Sequence, residues 1–199
     1  MKKLLQRLVS AALVMVGITA GAGAQDLTIG LAGSVTSMDP HFHALSPNIN
    51  VSKHIFDMLV NQDERQRLVP GLATEWRTLN DTTWEFRLRR GVKFHDGSDF
   101  TAEDVAASIR RVPNVPNSPS SFAIYTRPIV EITIVDPYTI RFRTAAPYPL
   151  LPNDLAQVAI ISRNSENAST GDFNAGRATN GTGPYRFVEF VPGDRIVLQ

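Results

Sequence analysis

The period of the hydrophobic pattern changes several times along the chain. Residues 8–20 form one apolar run, interrupted only by Ser10, Gly17 and Thr19. It follows Lys2, Lys3 and Arg7 and precedes the small residues Ala22-Gly23-Ala24. Basic, then apolar, then small is the order of a secretory signal peptide, and the run is short for a membrane span. Residues 1–24 are therefore expected to be a signal peptide cleaved after Ala24, with an exported chain starting at Gln25.

Beyond it, periods of two and of 3.6 alternate. Residues 26–32 (DLTIGLA) read as a strand, and Gly33 to Ser37 as a turn-forming cluster. Val51, Ile55, Met58 and Leu59 recur at helical spacing after Ser46-Pro47, so the pattern predicts a helix over 48–60. Residues 61–67 are polar and read as a solvated turn. Trp84, Phe86 and Leu88 alternate with charged residues, which predicts a half-buried strand with a polar outer face. His95-Asp96-Gly97 reads as a turn, and Thr101 with Asp104 resembles a capping box opening a helix over 102–111. Residues 113–121 are rich in proline, serine and asparagine and read as an exposed loop. Two strand-like runs flank Asp136-Pro137 as a hairpin. Pro147, Pro149 and Pro152 deny regular structure at the next crossing, 155–161 reads as a strand, and 162–180 as a long polar loop. Alternating strands close the sequence at 185–190 and from Arg195. The whole is a mixed α+β pattern in which strands outnumber helices.

Charge alters the picture once the first segment is set aside. The 199 residues hold 20 basic and 19 acidic side chains, but three of the basic ones lie in residues 1–24. The remainder carries 17 against 19, a slightly acidic body that argues against a strongly basic nucleic-acid binder. The absence of cysteine excludes disulfides, thiol nucleophiles and thiolate metal sites.

The candidate chemistry is sparse. His41-Phe42-His43 would place two imidazoles on one strand face, but no third ligand has matching spacing, so it reads as a loop with two partly exposed histidines. His95 and Asp96 are adjacent, which is poor geometry for a base and its orienter. There is no G-x-S-x-G elbow and no phosphate-binding loop outside the first segment. Arg87, Arg89, Arg90 and Lys93 read as a solvated face, and Trp76 and Trp84 as core. No cofactor, metal site or catalytic residue is assigned, and the expected role is that of a binder and not of an enzyme.

The stretch from Pro70 to Val105 (PGLATEWRTLNDTTWEFRLRRGVKFHDGSDFTAEDV) resembles the signature region of family 5 extracytoplasmic solute-binding proteins, the dipeptide, oligopeptide and nickel receptors of ABC importers. Ser37-Met38-Asp39-Pro40-His41, the Asp136-Pro137-Tyr138 hairpin and Gly181-Thr182-Gly183-Pro184-Tyr185 agree with that family in order. The resemblance implies a type II periplasmic binding-protein fold of mixed α/β class. It places lobe one at 25–59 and 166–199, an inserted subdomain at 60–165, and leaves lobe two missing. It further implies a monomer that passes a peptide or peptide-like ligand to an ABC permease of the inner membrane. Nickel-chelate, glutathione and opine receptors are alternatives within the family; a secreted hydrolase using His95 and Asp96, or a truncated product that does not bind, are alternatives outside it.

A receptor for varied peptides suits main-chain hydrogen bonds, because every peptide offers the same groups. The small residues of Gly33 to Ser37 let another backbone approach. The family resemblance makes this segment line the cleft, so Ser34, Val35 and Thr36 are candidate ligand residues. Gly181 and Thr182 are the second candidates, and Phe122 and Tyr125 are candidate aromatic covers that could equally be core.

Overall fold

The structure, a computed structural model, describes residues 26–199. The expected signal peptide lies outside the described residues. Residues 26–30 group with the short N-terminal unit, and Leu31–Gln199 form the other. Residues 26–32 are exposed and are not a strand, contrary to the pattern. Alternation alone does not make a strand; a hydrogen-bonded neighbour is needed, and none pairs with them among the described residues.

Helix α1 (Ser46–Ile55) carries Pro47 in its first turn, where the missing N–H costs nothing. It stops at Ile55, short of residue 60, because Phe56 turns to extended backbone and leads into β1 (Val60–Gln62). β1 pairs with β2 (Leu68–Pro70), and the polar residues between them form the turn, in which Asp63 accepts from the N–H groups of Arg65 and Arg67.

The largest sheet is antiparallel, in the order β3 (Ala73–Asn80), β4 (Thr83–Leu88), β6 (Thr139–Thr144), β5 (Ile129–Asp136). Its inner face brings Trp76 opposite Phe86, Phe86 opposite Ile140 and Trp84 opposite Phe142. Phe86 and Phe142 are fully buried with ring centroids 5.5 Å apart. Trp76 and Trp84 pack half-buried at the margin of this core. On the outer face Glu85 is covered by Arg77 and Arg141, each 2.7 Å from a carboxylate oxygen. Arg87, Arg89, Arg90 and Lys93 are exposed, as a solvated face requires.

Helix α2 (Ala102–Arg111) covers the inner face with Ala102, Val105, Ala106 and Ile109. Its N-terminus is the expected capping box: the Asp104 carboxylate accepts from the Thr101 N–H at 2.8 Å. After the proline-rich loop comes the short α3 (Ala123–Thr126). The β5–β6 hairpin turns at Asp136-Pro137, where the Asp136 side chain accepts from the Tyr138 N–H at 2.7 Å.

Three expectations fail between 150 and 180. Residues 151–155 form α4 (Leu151–Leu155), which accommodates Pro152 in its first turn. Val158 to Ile161 then cross the interior as a buried strap and not as a strand. They are held by one bridge from Ala159 to Met58, by Ile160 N–H to Asp57 O, and by Ile161 N–H to the Ser108 hydroxyl at 2.9 Å. The polar stretch 162–180 contains α5 (Thr170–Asn174), opened by a second capping box of Ser169 and Asp172. β7 (Phe187–Val191) and β8 (Arg195–Leu198) form a final hairpin. It packs Phe187, Phe190, Ile196 and Leu198 against a second core built on Val35, Met38, Ile55, Phe56 and Phe173. No helix among the described residues is long and apolar enough to cross a membrane.

Candidate ligand-binding segment

Ser34, Val35 and Thr36 precede the first helix in the chain. Ser34 and Thr36 are exposed while the Val35 side chain is buried in the second core. Among the described residues no main-chain hydrogen bond reaches Ser34 or Val35. From Thr36 onward the chain is tied down: its N–H donates to Asn48 Oδ1 at 3.2 Å and the Met38 N–H to Asn174 Oδ1 at 2.8 Å.

Gly181 and Thr182 lie elsewhere in the fold's wiring. Gly183 N–H donates to Ile55 O and Tyr185 N–H to His54 O, so this loop caps the C-terminus of α1. A Cβ at Gly181 would collide with the Ile55 carbonyl oxygen, and one at Gly183 would lie 2.7 Å from the Ile55 carbonyl carbon, so both glycines serve close backbone packing. The Thr182 hydroxyl donates to Asp57 Oδ2 at 2.8 Å. His95 completes the junction: its main-chain N–H donates to Gly181 O, and its Nε2–H to Gly183 O at 2.8 Å. Asp96 instead accepts from the Ser98 N–H and hydroxyl. Imidazole and carboxylate are thus occupied on different partners, which is not the arrangement of a base and its orienter.

Phe122 is 3% exposed within the main core, with the half-buried Tyr125 ring 6.1 Å away. Core packing occupies Phe122. It lines a cavity of about 10 Å³ together with Ser37, His43 and Asn48.

The most concentrated electrostatics involve residues whose partners the spacing does not reveal. His41 is completely buried, which corrects the expectation of a partly exposed loop histidine. Its Nε2–H donates to Ala159 O at 2.8 Å, leaving Nδ1 to accept from Arg111 at 3.1 Å. Arg111 also grips Asp39 bidentately, at 2.8 and 2.7 Å, donates to Ala168 O, and lies 4.5 Å over the Phe173 ring. Thr170 donates to the same carboxylate at 2.8 Å. Burial, then the charge of Arg111, pushes the His41 imidazole down to about 4. Burial opposes ionisation of Asp39, but the Arg111 hydrogen bonds and charge hold its carboxyl below the usual range. The cluster is a buried tie among the 37–41 segment, α2 and α5. The one trace it leaves in the sequence is Arg111 standing among the apolar positions of α2.

Residues 67–199 match the model of the family described as "Bacterial extracellular solute-binding proteins, family 5 Middle". The chain is 28% identical over 192 residues to the periplasmic murein peptide-binding protein MppA of Escherichia coli, covering 87% of this chain and 36% of that protein. It is 29% identical over 194 residues to the glutathione-binding protein GsiB of Pectobacterium atrosepticum, covering 94% of this chain and 38% of that protein. The unliganded open form of MppA superimposes with a TM-score of 0.72 at 28% identity, over 83% of this chain and 35% of that one. NikZ of Campylobacter jejuni in complex with Ni(L-His) gives 0.73 at 26%, over 84% and 34%. These structures are type II periplasmic binding proteins, so the mixed α/β fold expected from the sequence is the one observed. The chain spans a little over a third of the length of the relatives it matches. With two thirds of its length inside the family pattern, the chain belongs to the family 5 bacterial extracellular solute-binding proteins.

Proposed function

We propose that the protein is the periplasmic substrate-binding component of an ABC importer and captures peptides or peptide-like solutes for a membrane permease. The observation that carries this is the edge at Ser34–Thr36: Ser34 and Thr36 are exposed, the main-chain groups of Ser34 and Val35 have no hydrogen-bond partner among the described residues, and Asn48 and Asn174 tie down the chain immediately downstream. Such an edge offers donors and acceptors to any peptide regardless of its side chains. Relatives whose names record murein peptide and glutathione binding support the same class. In this reading residues 25–59 and 166–199 belong to one lobe and 60–165 to a subdomain inserted in it. The opposite wall of the cleft comes from sequence outside these 199 residues. The ligand drives closure through its higher affinity for the closed form, with no covalent chemistry, and the receptor acts as a monomer. Export through the segment ending at Ala24 delivers it to the periplasm.

Isothermal titration of the full-length protein with alanine peptides of increasing length, with Ni(L-His) and with an opine tests the assignment. Saturable binding of at least one alanine peptide, and none of the other two, is expected. Binding of only the chelate or only the opine would replace the peptide reading with that one.

A further inference from the structure

We infer that Asn48, seconded by Asn174, is a positioning residue that holds the ligand-binding edge at Ser34–Thr36 in place before ligand arrives. This rests on the proposed role of that edge. Asn48 is 5% exposed on α1, yet its amide is not spent on the helix. Oδ1 accepts the Thr36 N–H at 3.2 Å, while Nδ2 donates to the Thr36 hydroxyl at 3.0 Å and to Ser37 O at 3.3 Å. Having accepted from Asn48, the Thr36 hydroxyl is free to give its own proton to His43 Nδ1, 3.0 Å away.

The next residues are fixed from another direction. Asn174, the last residue of α5, accepts from the Ser37 hydroxyl and the Met38 N–H, both at 2.8 Å, and Ser37 Oγ accepts the Asp39 N–H at 3.0 Å. The buried Val35 side chain anchors the edge from below. The segment therefore divides sharply. The Thr36 N–H, the Ser37 carbonyl and the Met38 N–H are engaged by side chains brought from up to 136 residues away, while the main-chain groups of Ser34 and Val35 have no partner among the described residues. A buried asparagine that uses both ends of its amide on a two-residue stretch of backbone is expensive to maintain unless that backbone must be held in place. With the edge already ordered, a ligand strand does not bear the cost of immobilising it.

The test uses Asn48→Leu, which keeps approximate size and deletes all three bonds. Thr36→Val is a second variant that removes only the exposed hydroxyl, in case the first folds poorly. Amide exchange at Thr36 and Met38, the unfolding midpoint, and titration with the tightest-binding alanine peptide are measured on the full-length protein. In Asn48→Leu the Thr36 amide should exchange at least tenfold faster, and the peptide should bind about tenfold more weakly or worse, with core amides still protected. Thr36→Val should keep the Thr36 amide protected and weaken binding less. Unchanged Thr36 exchange in Asn48→Leu, or wild-type affinity in that variant, would overturn this inference alone. Failure of the wild-type protein to bind any alanine peptide would instead remove the peptide-binding reading and this inference with it.

Discussion

His41 makes the protein's stability report on a single buried proton. In the folded state burial and Arg111 push its imidazole from 6.5 down to about 4. Between those values the unfolded chain binds the proton and the folded chain does not, so stability is complete above 6.5 and is lost as pH falls toward 4. The ring is fully buried, so solvent screens the effect little. Between pH 7.5 and 4.5 the loss from this one group is roughly 2–3 kcal/mol, a large share of a typical total of about 5–15 kcal/mol. His41→Gln retains a donor for Ala159 O and an acceptor for Arg111 but does not titrate. Urea unfolding of wild type and variant at half-unit steps across that range isolates the term, because the other groups are common to both proteins. The two stabilities should converge by about 2 kcal/mol or more toward acid. Curves that run parallel within about 0.5 kcal/mol would refute the buried-neutral assignment.

Two further perturbations probe the wiring. Gly181→Ala drives a methyl group into the Ile55 carbonyl, so it should cost about 3 kcal/mol and lower Tm by about 6–12 °C in a thermal melt; an unchanged Tm would mean the loop is not packed on α1. Asp104→Ala removes the α2 capping box and the acceptor for the Arg163 N–H, for a loss of about 1–2 kcal/mol in urea, of which Asp104→Asn should recover part.

The parts of the fold that were legible are those with local causes. β4, α2 and the β5–β6 hairpin follow from period, cap and turn chemistry within about ten residues, and each appears where the pattern puts it. β3 escaped because Trp76 is its only inward-packing residue past Ala73, the others being exposed, so its position is set by pairing with β4. α5 hid inside a polar stretch although Ser169 and Asp172 carry the same capping signal that marked α2. The run at 158–161 is apolar on every side because it passes through the interior, and an unbroken apolar run does not distinguish a strand from a strap. For the candidate site, the small residues at 33–37 pointed to the edge. Asn48, Asn174 and the Asp39–His41–Arg111 cluster act across 12 to 137 residues of chain, a distance over which spacing carries no information.

Native mass spectrometry of the protein recovered from the periplasm, followed by denaturing mass on the same sample, tests the central claim most directly. The mature chain should begin at Gln25, and its native mass should exceed its denatured mass by that of a short peptide or peptide-like solute. A native mass equal to the denatured one, unchanged after incubation with a mixture of short peptides, would contradict it.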